Sequence, residues 1–266
     1  MPRSIWKGAI SFGLVTIPVK VFGATEERDI SFRQVHSSDG GRIRYQRVCE
    51  VCGQEVAFAD IAKGYEAEDG RMAILEPDDF AGLPAAEGKT VDVKQFVDLA
   101  EIDPIYFDRT YLLAPEKAGL KPYVLLRRAL ADSGRAAVVK VALRNKESLA
   151  LIRPVGEVLR LHTMLWPDEL RDTEFAAPEA EVKVSDAEIS MAELLIDQLF
   201  GEFDPAAYTD DYREALTEVI NAKLEGVAPP EAVAPADTGG QVVDLVAALK
   251  ASVEAAKKRR DEAAAS

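Results

Sequence analysis

Residues 8–22 read GAISFGLVTIPVKVF, with Ile10, Phe12 and Leu14 in one alternating phase and Val15, Ile17, Val19 and Val21 in the other. A period of two places successive side chains on opposite faces of a strand, and the frequent β-branched residues suit that conformation. This is strand sequence. Pro18 has no N–H for a ladder, which predicts an edge or a bulge. Comparable runs follow at 91–99 (VDVKQFVDL), 104–115 (PIYFDRTYLLAP), 136–144 (AAVVKVALR), 148–154 (SLALIRP) and 156–165 (GEVLRLHTML), several parted by short turn signals. So many short strands within the first 165 residues predict a barrel or a sandwich.

Helical patterns interrupt and then replace the strands. Residues 121–134 (KPYVLLRRALADSG) predict a helix with Pro122 near its first turn, an apolar stripe of Leu125, Leu126, Ala129 and Leu130, a polar side showing Arg127 and Arg128, and Gly134 as the stop. Ser185 and Glu188 make a capping box ahead of SMAELLIDQLFGEF. Asp204, Pro205 and Thr209 precede a further helix in which Tyr212, Leu216, Val219 and Ile220 recur before Gly226. These two acidic helices form an arm over about residues 181–226, and the first is apolar over enough of its circumference to need another surface. Residues 227–240 (VAPPEAVAPADTGG) have linker composition. A tethered helix follows in 241–266, with Val242, Leu245, Val246, Leu249 and Val253 on one face and Lys257, Lys258, Arg259 and Arg260 at its end. A helix of this length is marginal alone, so the stripe predicts docking.

A chain of 266 residues, 48% hydrophobic, can bury a substantial core. It has neither a long apolar run nor a secretory signal, which predicts a soluble cytoplasmic protein. The net charge of -14 argues against a polyanionic partner only on average. Residues 1–160 hold 23 Lys and Arg against 23 Asp and Glu, whereas residues 161–226 hold 4 against 17. Between 117 and 153 there are nine basic side chains and two acids, Asp132 and Glu147. A polarised surface follows.

No serine-hydrolase elbow, zinc-protease helix motif or phosphate-cradling glycine loop occurs, which disfavours an enzyme. His36 and His162 read as local structural residues, and Glu101, Asp103 and Asp108 as loop and strand-end charges. Cys49 and Cys52 have the spacing of a zinc knuckle, with Gly53 letting the turn close. Structural zinc takes four ligands. A second protomer's pair could complete the set, or the site could be vestigial, the thiols redox-active, or the segment a plain turn. In GGRIRYQRVC, Arg42, Arg44 and Arg47 flank Tyr45, and on a strand Arg42 and Arg44 would share a face, spaced for successive phosphates. With Lys63 and the basic run, which includes Arg127, Arg128, Arg135, Arg144 and Lys146, they make a candidate DNA-facing surface. The remaining alternative is a zinc-dependent transcription or scaffold module.

Seven blocks in chain order resemble the bacterial Ku family: SIWKGAISFGLVTIPVKVF, VH with RIRYQRVCEVCG, DIAKGYE, PIYFDRTYLLAP, K-PYVLLRRAL, ALIRPVGEVLRLHTMLWPDELR and VVDLVAALKAS. The resemblance implies an α+β fold with a β-barrel core over residues 1–180. A bridge insertion at about 23–75 would arch over DNA, and the helical arm would reach a second subunit. Two copies would close a ring that holds double-stranded DNA ends by sugar and phosphate, without reading bases, in non-homologous end joining. The acids of 161–226 would then lie outside the channel and steer the duplex inward. The terminal helix would recruit the multifunctional ATP-dependent end-joining DNA ligase, and the protein would be nucleoid-associated. The basic tail is short beside the lysine-rich extensions of some relatives, which favours ligase contact through Leu245, Val246 and Leu249.

Overall fold

The computed structural model describes residues 2–81, 83, 89–143, 146–178, 182–228 and 245–264. The chain divides into two units, Met1–Asp172 and Thr173–Ser266. The first is built on β1 (Trp6–Phe12), β2 (Val15–Gly23), β3 (Lys63–Glu66), β4 (Met72–Leu75), α1 (Pro77–Ala81), β5 (Thr90–Asp98), β6 (Phe107–Pro115), α2 (Leu120–Ser133), β7 (Arg135–Leu143), β8 (Lys146–Val155) and β9 (Val158–Met164). Seven strands close into a barrel in the order β1-β2-β6-β9-β8-β7-β5, the β1–β5 seam being parallel. The alternative of a sandwich is thereby removed.

The two phases of residues 8–22 belong to two strands. Phe12 pairs with Val15 across a two-residue turn at Gly13 and Leu14, where Gly13 takes φ 59°. A two-residue hairpin loop exchanges the parity of inward positions, so Ile10 on β1 and Ile17, Val19 and Val21 on β2 all point to the core, while Leu14 stands fully exposed at the turn. Pro18 is neither on an edge nor at a bulge. Its carbonyl accepts the Glu116 N–H at 2.9 Å, so its nitrogen faces the same neighbour, β6, whose strand ends at Pro115. The missing donor therefore falls where that ladder has run out.

Inside the barrel lie Val91, Leu113, Ala137, Val139, Val141, Ala150, Ile152, Leu159 and Leu161 with the hairpin's residues. Each fully buried aliphatic contributes roughly 1.5–3 kcal/mol. Helix α2 adds Tyr123, Leu126 and Leu130 to this core. The Tyr123 hydroxyl donates to the Leu113 carbonyl at 2.6 Å and accepts the Leu159 N–H at 2.7 Å, bridging β6 and β9 at a register pair. The buried stripe is thus 123, 126 and 130, and the expected stripe is corrected: Leu125 is 63% exposed and Ala129 lies outside as well. A barrel mouth accepts a tyrosine whose polar tip finds backbone partners, which a count of aliphatic residues alone does not register.

A second apolar cluster, Ala136, Val138, Leu151 and Met164, lies on the outward register of β7, β8 and β9. Ile102 and Tyr106 of the β5–β6 connection, with Phe107 at the start of β6, pack against it.

The insertion between β2 and β5 is another matter. From residue 23 to 80 the described residues include none that is buried. Among its described residues are the β3–β4 hairpin, the short α1, a 3-10 turn at Phe58–Asp60 and two isolated bridges, Val35 with Arg42 and Val48 with Glu55. Phe32, Tyr45, Val51, Phe58, Tyr65 and Ile74 are exposed.

The second unit carries α3 (Asp186–Leu199), α4 (Asp211–Glu225) and α5 (Leu245–Ala264). The capping box holds: Ser185 Oγ accepts the Glu188 N–H, and the Glu188 carboxylate accepts the Ser185 N–H at 2.7 Å. Helix α4 starts at an Asp210 cap and stops at Gly226 with φ 72°. Helices α3 and α5 pack together. Ile189, Leu194, Ile196 and Leu199 of α3 are exposed nonetheless. Most of the expected linker, residues 229–240, lies outside the described residues, as does Val242. Among the described residues no helix is long and apolar enough to cross a membrane.

Candidate nucleic-acid interface

The three arginines of GGRIRYQRVC sit on the exposed insertion rather than on a strand. Only Arg42 joins a bridge pair, because the segment turns at His36–Gly41, where Gly40 takes φ 72° and the His36 N–H meets the Gly41 carbonyl at 2.7 Å. The segment is thus an irregular hairpin and not the strand on which Arg42 and Arg44 would share a face. Arg42 and Arg44 are exposed, and neither forms an ion pair among the described residues. Arg47 lies over the Phe58 ring at 5.3 Å and Lys63 over the Phe80 ring at 4.6 Å. Both aromatic contacts orient a cation without neutralising it.

Beside this hairpin, Cys49 and Cys52 form a knuckle closed by Val48–Glu55 pairing, with Gly53 at φ 70° and its N–H bonded to the Cys49 carbonyl at 2.8 Å. The N–H groups of Cys52 and then Val51, with the Cys52 thiol, hold the Cys49 thiol below its usual range. That favours a thiolate, the form that binds metal. Among the described residues no group of three or more His, Cys, Asp or Glu could hold an ion. The two thiols of one chain fall short of the four ligands that structural zinc takes.

On the barrel unit the basic run separates into different fates. Arg128 is exposed on α2. Arg127 is not on the polar side: its side chain is 12% exposed, donates to the Gly156 carbonyl at 2.9 Å and pairs with Glu157 at 2.9 Å. It ties α2 to the β8–β9 turn and is not free for a phosphate, which corrects its expected role. Arg135 stands near Asp98 at 3.8 Å and Lys146 near Glu169 at 3.8 Å, both loose and exposed. Arg144 lies outside the described residues.

Two cations stand out as a pair that the sequence reading did not single out: Arg153, which ends the basic run, and Arg160, which lies beyond it. Arg153 on β8 and Arg160 on β9 are direct register partners, half-buried on the barrel's outer side. Arg153 Nε donates to His162 Nε2 at 3.0 Å, so that nitrogen must be the acceptor, and Nδ1 carries the proton toward Thr110 Oγ1 at 3.0 Å. His162 is therefore neutral. Its burial, and then Arg153 and Arg160, push its pKa down. The signal was present in the register: pairing about a turn at Gly156 and Glu157 sets Val155 opposite Val158 and Arg153 opposite Arg160.

The class these features define is a closed β-barrel protein with cations on its outer side, an insertion whose described residues include none that is buried from 23 to 80, and a helical arm with exposed apolar side chains. A family model described as the Ku70/Ku80 beta-barrel domain matches residues 11–191. Relatives named non-homologous end joining protein Ku include one from Frankia casuarinae, 52% identical, covering 99% of this chain and 66% of its own. That from Mycobacterium tuberculosis is 44% identical over 96% of each chain, and a Ku 2 from Saccharopolyspora erythraea is 48% identical over 97% of this chain and 85% of its own. The chain spans slightly less than two thirds of the Frankia relative's length. Among solved structures, the SPOC domain of human PHD-finger protein 3 aligns with a TM-score of 0.30 at 11% identity over 61% of this chain and 95% of that one, which bears on neither fold nor function.

This chain belongs to the Ku family.

Proposed function

We propose that this chain, as a homodimeric ring at the nucleoid, binds the ends of double-stranded DNA without reading sequence and serves non-homologous end joining by recruiting and stimulating the ligase. The observation that carries the reading is the similarity, over nearly the whole chain, to relatives named for that process. Physical features support it. The exposed Arg42, Arg44, Arg128, Arg135 and Lys146, with Arg47 and Lys63 over their rings, are phosphate-directed cations. The apolar side chains left bare on the insertion and on α3 suit a second copy. Such binding makes and breaks no bonds, so the chain acts without catalysis of its own.

Zinc belongs to the same proposal. The knuckle thiols of two copies would complete a Cys₄ site, giving one zinc per two chains, lost in Cys49→Ser. Ligase contact falls to α5, whose Leu249 and Val253 are half-buried; the side chains of Leu245 and Val246 lie outside the described residues. Removing residues 241–266 is expected to spare end binding and abolish stimulation of ligation.

The deciding experiment is a mobility shift of blunt linear duplex against a closed circle of the same sequence, at two salt concentrations. Linear DNA shifted in preference to the circle, with affinity falling steeply as salt rises, is the expected result. A chain that remains monomeric and treats both forms alike would defeat the reading.

A further inference from the structure

Arg153 and Arg160 face one another across the β8–β9 ladder with no carboxylate partner among the described residues. Like charges directly opposite in a sheet repel, and half-burial weakens the screening that would make this harmless. Arg160 also has a buried Nε with no hydrogen-bond partner, an expensive omission for a charged group. Neighbouring acids do not relieve the pair. Glu157 is committed to Arg127, and Asp98 stands by Arg135.

Arg153 itself is held in place. Its Nε is spent on His162, which Thr110 fixes from the other side, so its terminal nitrogens remain for another ligand. It lines a surface pocket of about 280 Å³ together with Arg135, Leu99, Leu130, Pro154 and Gly156. A second guanidinium thus borders the same hollow. The fork of Arg153 beside that of Arg135 matches the oxygens of a phosphate, whose charge would offset the repulsion between Arg153 and Arg160.

We propose that Arg153 and Arg160, with Arg135 at the rim, form a seat for a phosphate group of the duplex backbone. This rests on the reading of the chain as a duplex binder. The seat fixes where the barrel meets the backbone and reads no base, since a phosphate carries no sequence.

The test uses the full chain with blunt linear duplex over a salt series, comparing wild type, Arg153→Gln with Arg160→Gln, and Arg153→Lys with Arg160→Lys. The glutamine pair is expected to bind about tenfold or more weakly, with the slope of log affinity against log salt shallower by about 0.9, one phosphate's share. The lysine pair keeps the charge but loses the fork, so several-fold weaker binding with the slope preserved is expected. Wild-type binding and slope in the glutamine pair would overturn the seat. Should that pair not fold, wild-type affinity in the lysine pair would do the same. Absence of any shift by the wild type defeats the duplex reading instead, so the two failures are distinct. A thermal melt with inorganic phosphate, against chloride at equal ionic strength, separates the sources. Stabilisation of wild type but not of the glutamine pair, with duplex binding equal in both, would make this a free-phosphate site and overturn the assignment to DNA.

Discussion

Tyr123 shows how much one polar atom can organise inside an apolar barrel. Its hydroxyl is both donor to Leu113 and acceptor for Leu159, and burial raises its pKa, which keeps it protonated. Tyr123→Phe would leave a carbonyl and an N–H unmatched; a loss of about 1–3 kcal/mol in denaturant unfolding is expected, with the fold retained. His162 gives a pH dependence of definite sign. Its folded pKa lies below the ordinary value of 6.5, so the unfolded chain binds the proton more readily. Its contribution is fully present above pH about 6.5 and is lost as pH falls through that value toward the depressed one. Melting temperature should decline from pH 7 to pH 5.5, and the decline should be shallower in His162→Gln. At this scale the sequence was an uneven guide. It showed which residues are charged but not which charges are already spent: Arg127 and Arg128 are neighbours, and only three-dimensional contact with Gly156 and Glu157 separates them. The Arg153–Arg160 pair was readable from the turn, yet its significance lay in the absence of a carboxylate partner among the described residues, which no linear motif encodes.

Elements were more legible, because a period of two survives any environment. Every strand-like run in the first 165 residues became a barrel strand, and the capping box and Gly226 marked the arm helices correctly. What escaped was pairing. The β1–β5 seam joins strands far apart in sequence, and nothing local announces it. Gly8 sits at that seam for want of room: a Cβ there would lie 2.2 Å from the Lys89 carbonyl oxygen and 2.0 Å from the Trp6 ring. Gly8→Ala must push the incoming β5 away, and since a backbone oxygen cannot swing aside, a loss of roughly 1–3 kcal/mol is expected in thermal or denaturant melts. An equally stable variant would mean that the seam adjusts freely.

For the whole molecule, charge rather than packing was the misleading quantity. A net of -14 conceals a first 160 residues that are balanced and a stretch of 66 that holds most of the excess acid. Reversing Arg42 and Arg44 to Glu should weaken binding to every duplex sequence about equally and flatten the salt dependence, as measured by mobility shift on several unrelated duplexes. Sequence-selective loss would instead mean that these side chains read bases. The family's barrel is sufficient to explain the closed sheet; the insertion and α3 are where the described residues leave apolar side chains uncovered.

The circular order of the strands has a consequence for biosynthesis. The hairpin of β1 and β2 leaves the ribosome with both of its edges open, and the strands that close them, β5 and β6, begin only at Thr90 and Phe107. At about 5–20 residues per second, translation leaves those edges waiting for several seconds. Throughout that interval the nascent chain carries a pair of adhesive borders, one of them valine-rich, which makes early capture by chaperones, or clumping when expression outpaces them, the predictable hazard of making this protein.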